Sequence, residues 1–490
     1  MSPFLDAIDL LRSAALRNEL PGVDAAFDET VMRRHLQAAL LGKSGNGNMI
    51  GRCERRQAVY QPDHGCVVRY ALEVCHGTGR PLGQALASAC LFPSARSSRQ
   101  HFESRLRPLA AAMRGRPDVA AFSAPAALLE PLAMAVTLFP IDADLPTLVA
   151  ATDPTVMLEI LRGALDRRTR PRLAQVSCRV DVAHYPRQHH CVLRYTLEGE
   201  GDAPRATVFG KIARDDRATL TAAALPELRE RLDRVRTRRF AVPRLLGFVQ
   251  PLRLVLLEAM PGAPLVLPLL RERLGTGGAP GTPTLEDAVE QAAAVAAGLH
   301  GSGVGRGRQR GIQEERVELE QALTVLDRFS PGLGGEYREW VDSVKALAAA
   351  SEPLPACFSH GDFSPSQLLF SSDQCSLIDF DTICQAEPAL DLGQFLAYLR
   401  LGARKAGEPA SAVGPETTER VCARFVDAYI RECGLGPGAE SLLRRRVRLY
   451  ELLSLLRLVF HSWRKFKGER LAFAVELVRD RLGALAGPPT

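Results

Sequence analysis

The sequence predicts an α+β chain with a mainly antiparallel sheet in its middle part, a helical C-terminal part and an extra α/β domain at the N-terminus. Three observations carry this expectation. A strand–turn–strand pattern occurs twice, at Tyr60–Glu73 and at Tyr185–Glu198, each time with the period-two alternation of a half-buried strand. A tighter hairpin pairs Gln367–Phe370 with Cys375–Ile378 across the polar turn Ser371-Ser372-Asp373-Gln374. Beyond Leu399 the pattern changes to the helical period and keeps it to the end, as expected of a strand-bearing lobe followed by a helical one.

At 490 residues the chain is long enough for two or three domains. Its 46% hydrophobic and 24% charged residues are those of an ordinary globular protein, and the net charge of +6 is mild. No zinc-finger spacing or basic–aromatic motif accompanies that charge, which speaks against nucleic acid as a partner. No apolar run approaches the length of a membrane span. The first twenty residues include Asp6, Asp9 and Glu19 and lack both the basic start and the apolar stretch of a signal peptide. The eleven cysteines contain no Cys-x-x-Cys pair, so free, mostly buried thiols in a reducing cytoplasm are expected.

In chain order, residues 1 to about 42 carry Leu5, Ile8, Leu11 and Ala15 at helical spacing. Gly42-Lys43-Ser44 then lacks the upstream glycine and the feeding strand of a P-loop, because 35–41 reads as helix. The two longer hairpins are copies: Cys66-Val67-Val68-Arg69-Tyr70-Ala71-Leu72-Glu73 aligns with Cys191-Val192-Leu193-Arg194-Tyr195-Thr196-Leu197-Glu198 at an offset of 125 residues (194 − 69). They diverge next. The first runs into Leu86–Phe92 without a lysine, the second into Ala206–Ile212 with Lys211. This reads as a duplicated hairpin module in which only the second copy is equipped for nucleotide. Between the copies, Asp153-Pro154 opens a helix that runs to about Leu165, and a domain boundary falls between 140 and 175.

Ala218–Arg236 reads as a helix whose Glu227 or Glu230 is available to pair with Lys211. Phe240–Val249 and Leu252–Glu258 read as strands, followed by a Gly/Pro-rich segment from Gly275 to Pro283. Thr284, with Asp287 three residues on, caps a helix that ends at His300. Gly301–Gly311, with Arg306, Arg308 and Arg310, reads as a mobile, solvated basic loop. Helices are expected at Glu416–Glu432, Ala439–Lys467 and Glu469–Leu485, with Tyr450, Glu451, His461 and Trp463 as their polar pocket candidates.

The chemistry concentrates around the third hairpin. His360-Gly361-Asp362 opens the loop before it and Asp379-Phe380-Asp381 follows it, which brings Asp362 and Asp379 to the same end. A carboxylate that can take a proton beside one that can hold a divalent cation is the minimum equipment for phosphoryl transfer. A strand lysine such as Lys211 supplies the fixed cation that phosphates need.

His360-Gly361-Asp362, Gln367, Ile378-Asp379-Phe380-Asp381 and Asp391-Leu392-Gly393 resemble the catalytic core of the aminoglycoside phosphotransferase and choline kinase family. The resemblance implies a two-lobed, protein-kinase-like fold. By the same resemblance Asp362 is the catalytic base, Asp379 holds Mg²⁺ and Asp391 braces the catalytic loop from below. It also places Glu258 and Met260 at the hinge that meets the adenine edge, Lys211 on the phosphates, and His360 and Gln367 in the cofactor site, Gln367 doubling as a metal ligand. Gln367 stands where the family has Asn. Pro186-Arg187-Gln188-His189-His190 stands where a glycine-rich loop would be. A domain ahead of the small lobe resembles the arrangement in maltokinases, which suggests a sugar as one acceptor.

The expectation is therefore a cytoplasmic, ATP- and Mg²⁺-dependent phosphotransferase acting on a hydroxyl of a small molecule. It would have an N-terminal cap-like domain over 1–150, a kinase-like N-lobe over 151–262 and a helical C-lobe over 263–490. The rival reading is a pseudokinase that binds nucleotide or a partner without turnover.

Overall fold

The structure is a computed structural model that describes residues 13–42, 47–62, 65–164, 176–187, 190–199, 206–234, 240–264, 283–371, 374–406 and 415–486. The Lys43-Ser44 turn, Gln188-His189 and most of the Gly/Pro-rich segment before Pro283 lie outside the described residues.

Short helices α1 (Ala14–Glu19), α2 (Val23–Phe27) and α3 (Glu29–Leu36) lead into a sheet of β1 (Asn48–Gln61), β2 (Gly65–His76), β3 (Pro81–Leu91), β4 (Ala126–Leu129) and β5 (Met134–Leu138). Its order is β1-β2-β3-β5-β4, antiparallel throughout. Helices α4 (Ala95–His101) and α5 (Arg107–Ala112) lie between β3 and β4. The pattern then repeats. Helices α6 (Leu148–Ala151) and α7 (Pro154–Ala164) precede β6 (Val176–Arg187), β7 (His190–Gly199) and β8 (Ala206–Ala213). Helix α8 (Arg217–Arg234) and the two-residue β9 (Phe240–Ala241) follow, then β10 (Leu245–Val249) and β11 (Leu254–Glu258). The second sheet has the order β6-β7-β8-β11-β10, the same topology as the first and again antiparallel.

The duplication thus extends well beyond the hairpins. Tyr70 donates its hydroxyl to the Ala26 carbonyl at 2.6 Å, and Tyr195 donates to Ala151 at 2.9 Å; both partners lie 44 residues upstream. Asp28 caps α3 by accepting from the Thr30 and Val31 amides, and Asp153 caps α7 by accepting from Thr155 and Val156. Ala133 and Arg253, each at a left-handed φ (48° and 50°), end equivalent turns before β5 and β11. Register identifies the difference that matters: Val192 faces Lys211 across β7 and β8, whereas Val67 faces Cys90 across β2 and β3. Cys90 therefore occupies, in the first module, the position of Lys211 in the second.

The rest of the chain is mainly helical: α9 (Leu285–His300), α10 (Ile312–Phe329), α11 (Pro331–Ala349), α12 (Pro388–Ala406), α13 (Pro415–Cys433), α14 (Pro437–Arg464) and α15 (Gly468–Ala486). The strands there are short. β12 (Ala263–Pro264), β15 (Leu368–Phe370) and β16 (Cys375–Leu377) join β9 in one sheet; β13 (Arg308–Gln309), β14 (Cys357–Ser359) and β17 (Cys384–Ala386) form another. The late helices and the third hairpin are where the sequence places them, and Thr284 and Asp287 form the expected capping box on α9. Helices α10 and α11 fill a stretch for which the sequence reading assigns no element.

The first module packs on the helical lobe as well as on its copy. Tyr60 meets Phe329 and Trp463 edge-on at 5.2 and 6.1 Å, Phe27 meets Phe466 at 4.9 Å, and Glu19 pairs with Arg328 at 2.6 Å. Between the modules, Arg69 lies over the Tyr185 ring at 3.7 Å and donates to the Tyr185 carbonyl, while the Tyr185 hydroxyl donates to Asp142.

The basic loop keeps Arg306 and Arg308 at the solvent-exposed surface, as its composition predicts, but specific pairings hold it. Arg306 pairs with Glu227 at 2.8 Å, residues 308–309 form β13 alongside β17, and part-buried Arg310 pairs with Glu315 at 2.7 Å. Glu227 lies 79 positions from its partner, a pairing that local composition does not reveal.

Asp142 supplies a test of the junction. Burial pushes its carboxyl up to about 6, against the opposing pull of the Tyr185 hydroxyl and the Asp144 amide. A carboxyl raised in the folded state binds protons that the unfolded chain has released, so its contribution to stability falls as pH rises from about 4 to about 6. Between those pH values the wild type is expected to lose about 2–3 kcal/mol relative to Asp142→Asn, read from urea denaturation. Identical pH slopes for the two proteins would contradict this account of the junction.

Candidate active site

The site is built from the loop and hairpin at residues 359–381. Gly361 has φ 75°, and a β-carbon there would collide with the Thr382 carbonyl, so the loop reverses on a residue that only glycine satisfies. The hairpin pairs Leu368 with Leu377 and Phe370 with Cys375, and the Ile378 amide donates to the Gln367 carbonyl at 3.0 Å. These pairings bring Asp362 and Asp379 to one end, as the spacing predicts.

Asp391, in the first turn of α12, has no solvent exposure. Its carboxylate accepts from the His360 amide at 2.7 Å, the Gly361 amide at 2.8 Å and His300 Nε2 at 3.1 Å, while His300 Nδ1 meets the Tyr429 hydroxyl at 2.9 Å. Burial alone would raise this carboxyl; His300, His360 and the backbone donor hold it below the usual range. Gly393, two residues on, sits where α12 crosses α14. A β-carbon would stand 2.5 Å from the Glu451 amide nitrogen and 2.6 Å from the Tyr450 carbonyl carbon. The glycine of the Asp-Leu-Gly motif thus serves close helix packing.

Two carboxylates at the hairpin end have opposite surroundings. Asp362 meets neutral amides: Gln394 Nε2 at 2.6 Å and Gln367 Nε2 at 3.4 Å. Burial and the nearby charge of Asp379 push its pKa up. Asp379 adopts a left-handed φ of 71° at the start of the one-turn helix Phe380–Thr382, a conformation that residues with a β-carbon seldom take. That turn aims Asp379 and Asp381 at the same cation: Lys211 pairs with Asp379 and lies 2.7 Å from Asp381. Burial works against ionisation of Asp379, yet the ammonium outweighs it and holds the carboxyl down to about 2. The two carboxylates together raise Lys211 despite its burial. Lys211 is one of only six lysines in the chain, and a compact ammonium on a flexible stem suits a site shared by several oxygens.

The other expected residues are placed as follows. Glu258 ends β11, half exposed, and Met260 follows it, part-buried. His360, expected in the cofactor site, is fully buried. Its Nε2 meets the Ile378 carbonyl at 3.0 Å and its ring packs edge-on against Phe380, so it supports the loop from inside and does not present its ring to a ligand. Neither Glu227 nor Glu230 pairs with Lys211: Glu227 binds Arg306 and Arg231, and Glu230 binds Arg234. The buried stripe of α8 is Ala218, Thr221, Ala224, Leu225, Leu228 and Leu232, and both glutamates fall off it. Thr221 instead donates to the Phe380 carbonyl at 3.0 Å, tying α8 to the Asp-Phe-Asp turn. Of the late-helix candidates, Tyr450 donates to Glu387, Glu451 pairs with Arg400, and Trp463 donates to Ser330.

Three contacts at the site are absent from the sequence reading. Gln394 reaches Asp362, Thr221 holds the Asp-Phe-Asp turn, and Arg310 donates to the Gly361 carbonyl at 3.3 Å while buried Glu315 joins it to Arg457. Only the apolar stripe of α8 signals any of them in advance, by excluding Glu227 and Glu230. Among the described residues, no three His, Cys, Asp or Glu side chains converge as a metal-holding group.

Comparison with known proteins agrees with the motifs. Residues 200–433 match the model of the phosphotransferase enzyme family. The match spans the lysine strand, the catalytic-loop motifs and Asp391, and the resemblance to the aminoglycoside phosphotransferase and choline kinase family holds over this part of the chain. No curated protein matches the sequence. Among solved structures, a choline kinase from Cryptosporidium parvum is similar at 12% identity and TM-score 0.48, over 68% of this chain and 96% of that one. A choline/ethanolamine kinase family protein from Mesorhizobium loti is similar at 17% identity and TM-score 0.43, over 67% and 99%. A glucosamine kinase in complex with glucosamine, ADP and inorganic phosphate is similar at 17% identity and TM-score 0.42, over 64% and 84%. The fold is α+β, with antiparallel sheets ahead of a mainly helical C-terminal part.

Asp391 provides the test of this geometry. An amide in its place keeps one acceptor oxygen and turns an N–H₂ group toward donors. Asp391→Asn is expected to cost on the order of 2–4 kcal/mol of stability, measured by urea denaturation. An unchanged midpoint would mean that the loop is not held through this carboxylate.

Proposed function

We propose that the protein is a kinase that transfers the γ-phosphoryl group of ATP to a hydroxyl of a small molecule such as a sugar or an aminoglycoside. The observation that carries this reading is the contrast between its two central carboxylates. Asp379, set against Lys211, stays ionised across the physiological range. Asp362, held by two neutral amides and raised by burial, is more basic and so better suited to accept a proton. Two carboxyl groups whose environments push their pKa values apart mark a division between base and charge holder.

In this proposal Asp362 orients the acceptor hydroxyl and takes its proton as the hydroxyl oxygen attacks the γ-phosphorus. Gln394 and Gln367 fix the carboxylate's direction. Lys211 neutralises phosphate oxygens beside the metal carboxylate, and Glu258 and Met260 stand at the hinge that receives the base of the nucleotide. Asp379 suits a divalent cation because it is ionised and points into the same cluster as the lysine; Gln367, whose Nε2 lies 3.4 Å from Asp362, has an amide oxygen to offer as a second ligand. A Mg²⁺ ion bound there would supply charge neutralisation on the phosphates. The proposed division of the chain is a cap-like domain over 1–150, an N-lobe over 151–262 and a C-lobe over 263–490.

The test is Asp362→Ala. Turnover is expected to fall by about 10²–10⁴ while ADP affinity stays within about twofold of wild type. Equal turnover in the two proteins would remove Asp362 from the role of base.

A further inference from the structure

The lysine that would contact the phosphates raises a question of charge. A buried ammonium needs a permanent counter-ion, and in protein kinases a glutamate of the neighbouring helix supplies it. Here the corresponding helix, α8, turns Ala218, Thr221, Ala224, Leu225 and Leu228 inward and engages Glu227 and Glu230 with arginines elsewhere. Lys211 is only 8% exposed and is flanked by Asp379 and Asp381. In the function proposed above, Asp379 turns to the nucleotide's cation. Asp381, 9% exposed and 2.7 Å from the ammonium, then remains as its partner.

We propose that Asp381 is the positioning residue of Lys211, taking the place of the helix glutamate. The inference rests on the phosphotransferase reading and deepens it. The turn that carries Asp381 is itself held to α8 by the Thr221 hydroxyl on the Phe380 carbonyl, 3.0 Å away. The lysine's anchor and the metal carboxylate therefore belong to one turn, two residues apart. The consequence is structural: the carboxylates that partner Lys211 come from the Asp-Phe-Asp turn and not from α8, whose Glu227 and Glu230 are engaged by arginines.

The competing role for Asp381 is direct coordination of the divalent cation. A double-mutant cycle separates the two, read as the dissociation constant of Mg²⁺·ADP by calorimetry and supplemented by the Mg²⁺ concentration that half-saturates binding. Asp381→Asn is expected to weaken Mg²⁺·ADP by about tenfold, the loss of one charge-assisted hydrogen bond. In a Lys211→Met background the same change is expected to have less than about a twofold effect, because its target is gone. Asp381→Glu, which restores the charge, should recover part of the affinity and keeps the test open should the Asn variant fold poorly.

A tenfold effect that persists without Lys211, with a higher Mg²⁺ requirement, would overturn the proposal and make Asp381 a metal ligand. No effect in either background would overturn it as well. A wild type that binds Mg²⁺·ADP but turns over no acceptor contradicts the proposed activity and leaves the cycle readable. A wild type that binds no Mg²⁺·ADP overturns both.

Discussion

Asp391 has no access to water, and its charge is matched only by groups that must be in place for the catalytic loop to exist. Two consecutive backbone amides and one imidazole converge on it. A buried carboxylate without such partners is costly by several kcal/mol, so the fold cannot keep Asp391 and lose the loop. The constraint spreads from there. The amides belong to His360 and Gly361, which fix where Asp362 begins. The imidazole belongs to the end of α9 and is itself held by Tyr429 of α13. The next turn of α12 carries Gln394 to the other side of Asp362. One charge at a helix start thereby positions both the front and the back of the site.

Around this centre the molecule repeats itself. Two modules share topology, caps, buried hydroxyl contacts and left-handed turn residues, yet differ where chemistry would lie, with Cys90 in the first at the position of Lys211 in the second. The first module instead contributes apolar and aromatic surface, through Tyr60 and Phe27, to the helical lobe.

The parts of this arrangement that were legible in sequence are those set by neighbours in the chain. The third hairpin, the placement of Asp362 and Asp379 at one end of it, the capping box on α9 and the late helices all follow from local pattern. The contacts that escaped are long-range: Gln394 to Asp362, Arg310 to Gly361 and Arg306 to Glu227 join residues 32, 51 and 79 positions apart. Two failures had a readable signal. The apolar stripe of α8 already excluded Glu227 and Glu230 from the buried side. The helical part of the repeat was also visible, since Leu20-Pro21, Asp28 and Thr30-Val31-Met32 match Leu145-Pro146, Asp153 and Thr155-Val156-Met157 at the offset of the hairpins. Helical matches spread over every third or fourth residue are harder to see than the unbroken run in a strand.

The central claim is that the two differently held carboxylates make a metal-assisted phosphoryl-transfer site. It is tested most directly by Mg²⁺-dependent ATP consumption against a panel of neutral sugars, aminoglycosides and amino alcohols, with Asp379→Ala as the control. The account predicts turnover with an acceptor of the panel that disappears without Mg²⁺ and in the control. Turnover that survives in Asp379→Ala, or nucleotide binding with no consumption on any acceptor, would contradict it.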